Sequence, residues 1–318
     1  MQEIYAKIER NTPLTREDAL TMLETELDSP HYYRLLALAG DYSHRQFDGR
    51  GRVFAQIGLD AQPCPAACKF CSLAQGCFAE KDATRKSDNE IAALARSLVA
   101  EGAQELFLMT TAAFDQQEFL RIGRMVRPLL PPEMPMVANV GDFDAAYAVR
   151  LREAGFTGVY HICRLGEGVD TEVTVARRVA TLDAIQAAGL ELYYCVEPIG
   201  PEHTNEQLAE EIFRTQGYNV GVMAVMRRTA VPGSALYSRG EIPAHRLALI
   251  CAVTTLCARP RRAMGVHEPE LLSLMAGANQ IYAETGVNPR DTHLETQRSR
   301  GFSVARARKL LQEAGWQT

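Results

Sequence analysis

The sequence lacks any apolar run long enough to cross a bilayer. Its longest, Leu247 to Ala258, is interrupted by Thr254 and Thr255, whereas a spanning helix needs about 20 apolar residues. It also lacks an excess of basic residues: 34 Lys and Arg stand against 39 Asp and Glu, for a formal net charge of −5. No broad cationic face is therefore available for phosphate backbones, and neither nucleic acid nor a membrane is expected as a partner. A secretory leader is missing from the N-terminus, where Met1 to Arg10 carry charges in place of an apolar stretch, so a cytoplasmic location is expected. Linkers, low-complexity runs and short repeats are absent as well. Hydrophobic residues at 47% and charged residues at 23% exclude a disordered, collagen-like or coiled-coil chain.

What is present begins with length. The 318 residues suit one barrel-type domain of about 250 residues with elements added to it. The first fifty residues read as helical, with Thr15 as N-cap and Asp18 closing a capping box. From Val53 onward, β-rich runs alternate with amphipathic stretches. The runs are Val53–Leu59, Glu105–Thr111, Pro135–Gly141, Gly158–Arg164, Glu191–Pro198, Val220–Arg227, Arg262–His267 and Ala278–Glu284. Gly102, Gly155 and Gly189 each follow an apolar-periodic stretch, as left-handed helix C-caps do. This pattern predicts an α/β fold, a (β/α)8 TIM-type barrel over residues 51–318 behind an N-terminal helical extension over residues 1–50. Function in such barrels sits at the C-terminal ends of the strands.

Eight cysteines in a cytoplasmic chain of this size do not read as a disulfide framework. Three of them crowd into the loop after the first strand, Cys64-Pro-Ala-Ala-Cys68-Lys-Phe70-Cys71, with three residues and then two between them. A loop of this length can wrap a cubane iron–sulfur cluster, supplying thiolates to three irons and leaving the fourth open. An open metal position can chelate the amino and carboxylate groups of an amino acid. The alternative is a zinc knuckle completed by Cys77.

The spacing, with aromatic Phe70 just before the third cysteine, resembles the signature of the radical S-adenosylmethionine (SAM) enzymes. That resemblance implies a [4Fe–4S] cluster on Cys64, Cys68 and Cys71, with Phe70 packed over it. It also implies SAM as second cofactor, a low-potential electron donor, and reductive cleavage of SAM to methionine and a 5′-deoxyadenosyl radical. The helical extension, the eight βα units and the late Met275-Ala-Gly-Ala-Asn279 segment look closest to the biotin-synthase-like branch. Within that branch, Met109 and Thr110 would meet the methionine amino group, and the Val231-Pro232-Gly-Ser-Ala-Leu236 loop would approach the adenine. Taken alone, these segments read as a strand end and a proline turn.

The third strand run carries no cysteine, which departs from ordinary biotin synthase. Cys163 and Cys195 end the fourth run and sit in the fifth, and two inward thiols on adjacent strands, with Cys77 as a third ligand, would hold an auxiliary cluster. The alternative is that both are small buried hydrophobes. Cys251 and Cys257 read as core residues. Arg164 and Glu167 suit ribose hydroxyls and the methionine carboxylate, with a loop salt bridge as the plainer reading and Arg177 and Arg178 as competing cations. Glu202 and Thr204 read either as adenine-side groups or as a helix start. His267, Glu268 and Arg290 would line a substrate cavity, Arg290 for a carboxylate, while Arg259 to Arg262 read as a solvated face at the barrel bottom.

The leading expectation is a radical SAM enzyme activating a C–H bond of a small, carboxylate-bearing substrate in cofactor biosynthesis, with sulfur insertion or C–C bond formation as the following step. The alternatives are a protein resembling the biotin-synthase-like assembly factor of the [Fe]-hydrogenase guanylylpyridinol cofactor, and a zinc-binding scaffold without catalysis.

Overall fold

Each β-rich run of the sequence becomes one stave of a barrel. The computed structural model describes residues 1–78, 83–268, 270–285 and 302–318. The staves are β1 (Arg52–Gly58), β4 (Glu105–Met109), β5 (Met136–Asn139), β6 (Gly158–Tyr160), β7 (Glu191–Ile199), β8 (Val220–Arg227), β9 (Ala263–Val266) and β10 (Gln280–Thr285). All pair in parallel with their sequence neighbours, and β10 closes on β1. A side hairpin, β2 (Asp60–Ala61) with β3 (Thr84–Arg85), is antiparallel. The staves read as continuous apolar runs because helices cover the face that the barrel interior does not, so that every residue of β4 is buried. Several runs extend beyond their strands. Thr110, Thr111, Val140, Gly141 and the segment from His161 to Arg164 lie past the strand ends, on the C-terminal rim.

The covering helices are α4 (Asp88–Ala100), α5 (Gln116–Val126), α6 (Ala145–Glu153), α7 (Val175–Ala187), α8 (Asn205–Arg214), α9 (Ala244–Ala258), the short α10 (Leu271–Met275) and α11 (Val304–Glu313). Ser87, Asp115, Asp144, Thr174, Thr204 and Ser303 cap α4 to α8 and α11, each accepting a backbone N–H with its side chain. Thr204 therefore starts a helix, forming a capping box with Gln207. Gly102, Gly155 and Gly189 follow helix ends with φ of +89°, +93° and +69°, where side-chain-bearing residues are strained.

Three helices precede the barrel: α1 (Gln2–Glu9), α2 (Arg16–Leu23), in which Thr15 and Asp18 form the expected capping box, and α3 (Pro30–Gln46). α2 packs on α8 and α9 and α3 on α9, and Tyr32 donates from its hydroxyl to the His245 carbonyl at 3.0 Å. This cover explains why α9 is apolar nearly all round. Cys251 on α9 is fully buried. No helix of the described residues is long and apolar enough to cross a membrane.

The bottom of the barrel is plugged. Glu105, fully buried, accepts from Arg52 Nε at 3.1 Å and Arg262 Nη1 at 2.8 Å, and Arg262 lies over the Tyr193 ring. The basic run is thus only partly a solvated face: Arg259 and Arg261 lie outside, while Arg262 turns inward to neutralise a buried carboxylate. Asn279, also fully buried, joins three staves by accepting from the Met264 amide and donating to the Arg50 carbonyl, both at 2.8 Å. The closed lower end leaves the C-terminal rim as the open one.

Candidate active site at the barrel mouth

The cysteine loop crosses the rim between β1 and α4 and is tied to two neighbouring loops. The Lys69 amide donates to the Asp170 carbonyl at 2.9 Å, the Glu172 amide to the Ala66 carbonyl at 2.9 Å, and the Leu236 amide to the Lys69 carbonyl at 3.1 Å. Within the loop, the Cys64 amide donates to the Leu73 carbonyl at 2.7 Å, and the Leu73 amide points at Cys71 Sγ from 3.3 Å. An amide directed at sulfur favours the thiolate that a cluster requires. Burial opposes it, pushing both the Cys68 and Cys71 thiols upward, with Arg164 pulling the other way. A bound metal centre resolves this conflict, because its charge makes the thiolate the stable form.

Cys64, Cys68, Cys71 and Phe70 line one side of a cavity whose other walls include Met109, Thr110, Asn139, Arg164, Glu197, Arg228 and His267. Most of the expected cofactor residues are therefore brought together. Pro232 is not: it is exposed on the turn after β8 and is absent from the cavity wall, although Leu236 in the same loop braces the cysteine loop. A tetrahedral zinc site would set sulfurs about 3.8 Å apart, given Zn–S near 2.3 Å. Cys64, Cys68, Cys71 and Cys77 are not gathered at that spacing. Among the described residues, the only group of three metal-ligating side chains within 4.8 Å of one another is Cys195, Glu197 and His267.

Glu167 is fully engaged by its own loop and the first turn of α7. It accepts from the Arg164 amide at 3.0 Å, from Thr171 Oγ1 at 2.5 Å and from Arg178 Nε at 2.8 Å, so the plainer salt-bridge reading describes it. Arg178 also donates from Nη1 to Asp142 Oδ2 at 3.0 Å. Burial alone would raise the Asp142 carboxyl, but the His161 hydrogen bond and the Arg178 charge outweigh it and hold it at about 2. Arg164 is less committed, its guanidinium lying 3.9 Å from Glu167 and 3.8 Å from Glu197, longer than a hydrogen bond. A charge held over the cavity at that range remains available to an anion.

The structure does not bring Cys77, Cys163 and Cys195 together. Cys195 faces the interior beside Glu197 and His267. Cys163 lies on the Tyr194 side, where its amide donates to the Tyr194 hydroxyl at 3.2 Å and where Glu211 and Arg214 of α8 are among its charged neighbours. Tyr160, the last residue of β6, points inward to Glu197, whereas Cys163 lies past the strand end, where no strand alternation fixes its direction. Cys77 packs against the small apolar cluster of the cysteine loop, which includes Cys68, Cys71 and Leu73.

Three rim residues were not singled out from the sequence. Asp60, two residues past β1 at the start of β2, accepts from Thr111 N at 2.9 Å and Thr111 Oγ1 at 2.5 Å, fixing the segment after β4. Arg228, directly after β8, is 1% exposed in its side chain and donates to Glu202 and the Gly240 carbonyl. Tyr160 donates to Glu197 Oε2 at 2.6 Å. The available signal was position, since a polar side chain at a strand's C-terminal end is placed at the mouth. Glu202 is thus a partner of Arg228. Arg290 lies outside the described residues.

Comparison with known proteins fits this geometry. The chain is 24% identical to a biotin synthase of Cutibacterium acnes over 255 residues, 76% of this chain and 70% of that one. It is 25% identical to a biotin synthase of Rhodopirellula baltica over 189 residues, 57% of this chain and 52% of the relative. These likenesses support a place for the chain in the biotin-synthase-like branch of the radical SAM enzymes. A [4Fe–4S] cluster and SAM are the cofactors of that family. The fold agrees: methylornithine synthase superposes with a TM-score of 0.82 at 18% identity, covering 99% of this chain and 96% of that one. The [FeFe]-hydrogenase maturase HydG of Carboxydothermus hydrogenoformans gives 0.80 at 15% identity, over 99% of this chain and 78% of that one. No protein-family model matches.

Proposed function

We propose that the protein cleaves SAM reductively and uses the resulting radical to activate a C–H bond of a small carboxylate-bearing substrate in cofactor biosynthesis. The observation that carries this reading is the convergence of Cys64, Cys68 and Cys71 with Met109, Thr110 and Arg164 on one cavity at the open end of the barrel. When bound, the cluster supplies the electron that splits SAM into methionine and a 5′-deoxyadenosyl radical. The chain's own residues do the rest. Cys64, Cys68 and Cys71 offer three thiolates, and the loop hydrogen bonds from Lys69, Glu172 and Leu236 fix where those sulfurs sit. Arg164 offers its charge to the methionine carboxylate, Met109 and Thr110 offer the strand end to the amino group, and Phe70 excludes water from the cluster face. Arg228 adds a second cation for the substrate, and its buried Nε is without a hydrogen-bond partner.

Carbon-skeleton chemistry is favoured over sulfur insertion as the second half of the reaction. What supports this preference is the surroundings of Cys163, whose amide donates to the Tyr194 hydroxyl and whose charged neighbours include Glu211 and Arg214 of α8, whereas Cys195 sits with Glu197 and His267. The protein reconstituted anaerobically and given SAM with a low-potential reductant should release 5′-deoxyadenosine, and Cys68→Ala should abolish it. Wild-type yield from Cys68→Ala, or stoichiometric zinc without SAM binding, would sink the proposal.

A further inference from the structure

The interior of the barrel holds a second set of metal donors, separate from the cysteine loop. Cys195 and Glu197 project inward from β7, and His267 follows the end of β9. One ligand atom from each lies within 4.8 Å of the other two. Cys195 is fully buried, Glu197 is 6% exposed, and His267 is half-buried at the cavity wall. Two of the three are spaced i, i+2 on one strand, which puts them on the same face with the same backbone rigidity. The third comes from two staves away in the closed barrel.

From this arrangement we propose that Cys195, Glu197 and His267 bind a single divalent ion of the zinc type at the floor of the cavity, with its fourth position open toward the substrate. The donor set is one thiolate, one carboxylate and one neutral imidazole. Thiolate and imidazole select zinc over magnesium or calcium. Charges also balance: a thiolate and a carboxylate together neutralise a divalent cation, so the occupied site carries no net charge into the interior, where an uncompensated one is costly. Bond lengths of about 2.0–2.3 Å require the three side chains to close by small rotamer changes from their present spacing. Tyr160, whose hydroxyl donates to Glu197 Oε2 at 2.6 Å, would orient the carboxylate as outer partners of metal ligands commonly do. Three protein ligands with an open fourth position is the pattern of sites that hold a small molecule. Glu197 and His267 both line the cavity, so the open position would take a substrate amine, carboxylate or thiol.

The test uses the full chain with its iron–sulfur cluster reconstituted. It is incubated with a slight excess of Zn²⁺, desalted and analysed for zinc and iron, and the zinc environment is read by X-ray absorption. Stoichiometric zinc with one sulfur neighbour near 2.3 Å is expected. Cys195→Ala and His267→Gln should each weaken retention by at least the roughly 10–100-fold that losing an outer partner costs, while holding the same cluster iron, which reports an intact fold. Cys163→Ala should keep its zinc. If Cys195→Ala loses its iron as well, Glu197→Gln and His267→Gln decide. Zinc that is absent, or unaffected by these variants, overturns the proposal. So does extra iron and sulfide that depends on Cys195, since that would be a second cluster. Because the readout is zinc, it is independent of whether SAM is cleaved.

Discussion

Replacing Arg178 with Met removes a cation that hydrogen-bonds to two buried carboxylates at once. Its guanidinium donates to Glu167 at 2.8 Å and to Asp142 at 3.0 Å, with side-chain exposures of 5%, 0% and 8% for the three residues. Methionine restores most of the volume but none of the charge. Two anions are left in a site where water reaches neither well, and breaking a buried pair in this way costs about 3–5 kcal/mol. For 318 residues, an unfolding entropy near 2.1 cal/mol/K per residue converts each kcal/mol into about 1.5 °C, so the melting midpoint should fall by roughly 4–7 °C. A functional consequence follows from the connections of this loop. Glu167 organises the segment whose Asp170 carbonyl and Glu172 amide hold the cysteine loop, so Arg178→Met should also lower cluster iron although it alters no ligand. Adding Glu167→Gln should recover part of the stability, because a neutral amide needs no counter-charge. The assay is calorimetry under anaerobic conditions with iron analysis of the same samples. A fall below about 1 °C together with full iron content would refute the argument, and so would a double variant no more stable than the single one.

Acid should weaken the same network. The Asp142 carboxyl is held at about 2 against an ordinary 3.8. Its contribution, about 2 kcal/mol, is therefore complete above pH 4 or so and disappears as pH falls toward 2. Melting midpoints measured across that window should fall less steeply for Asp142→Asn than for the parent, and parallel curves would contradict the assignment. Gly158→Ala should cost about 1–3 kcal/mol, since its Cβ would stand 2.8 Å from the Glu191 carbonyl oxygen and 2.6 Å from the Tyr193 ring; an unchanged midpoint would show that β6 and β7 can separate. Cys163→Ala should retain parental cluster iron and 5′-deoxyadenosine yield because Cys163 lies on the Tyr194 side, and loss of either would restore it as a ligand candidate.

The sequence alone determined the barrel and the cysteine motif. Both are local signals: alternating apolar runs, capping residues such as Thr15 and Asp18, glycines after helices, and three cysteines within eight positions need no knowledge of distant contacts. Even the placement of polar groups at the mouth followed, because it depends only on where strands end. The tertiary structure decided which face each side chain takes and which partner it finds. A shared cluster would need Cys163 beside Cys195, yet β6 stops at Tyr160 and the rim segment beyond it sets Cys163 against Tyr194, with Glu211 and Arg214 of α8 among its charged neighbours. Glu167 lies beside the mouth as expected, but Thr171 and Arg178 consume its oxygens. Arg262, part of an apparently solvated basic run, is drawn inward by Glu105, 157 residues away in sequence. Cys195, Glu197 and His267 belong to strands two apart in the barrel, and nothing in their spacing announces that they meet. Such pairings arise from barrel closure, and closure depends on all eight strands at once.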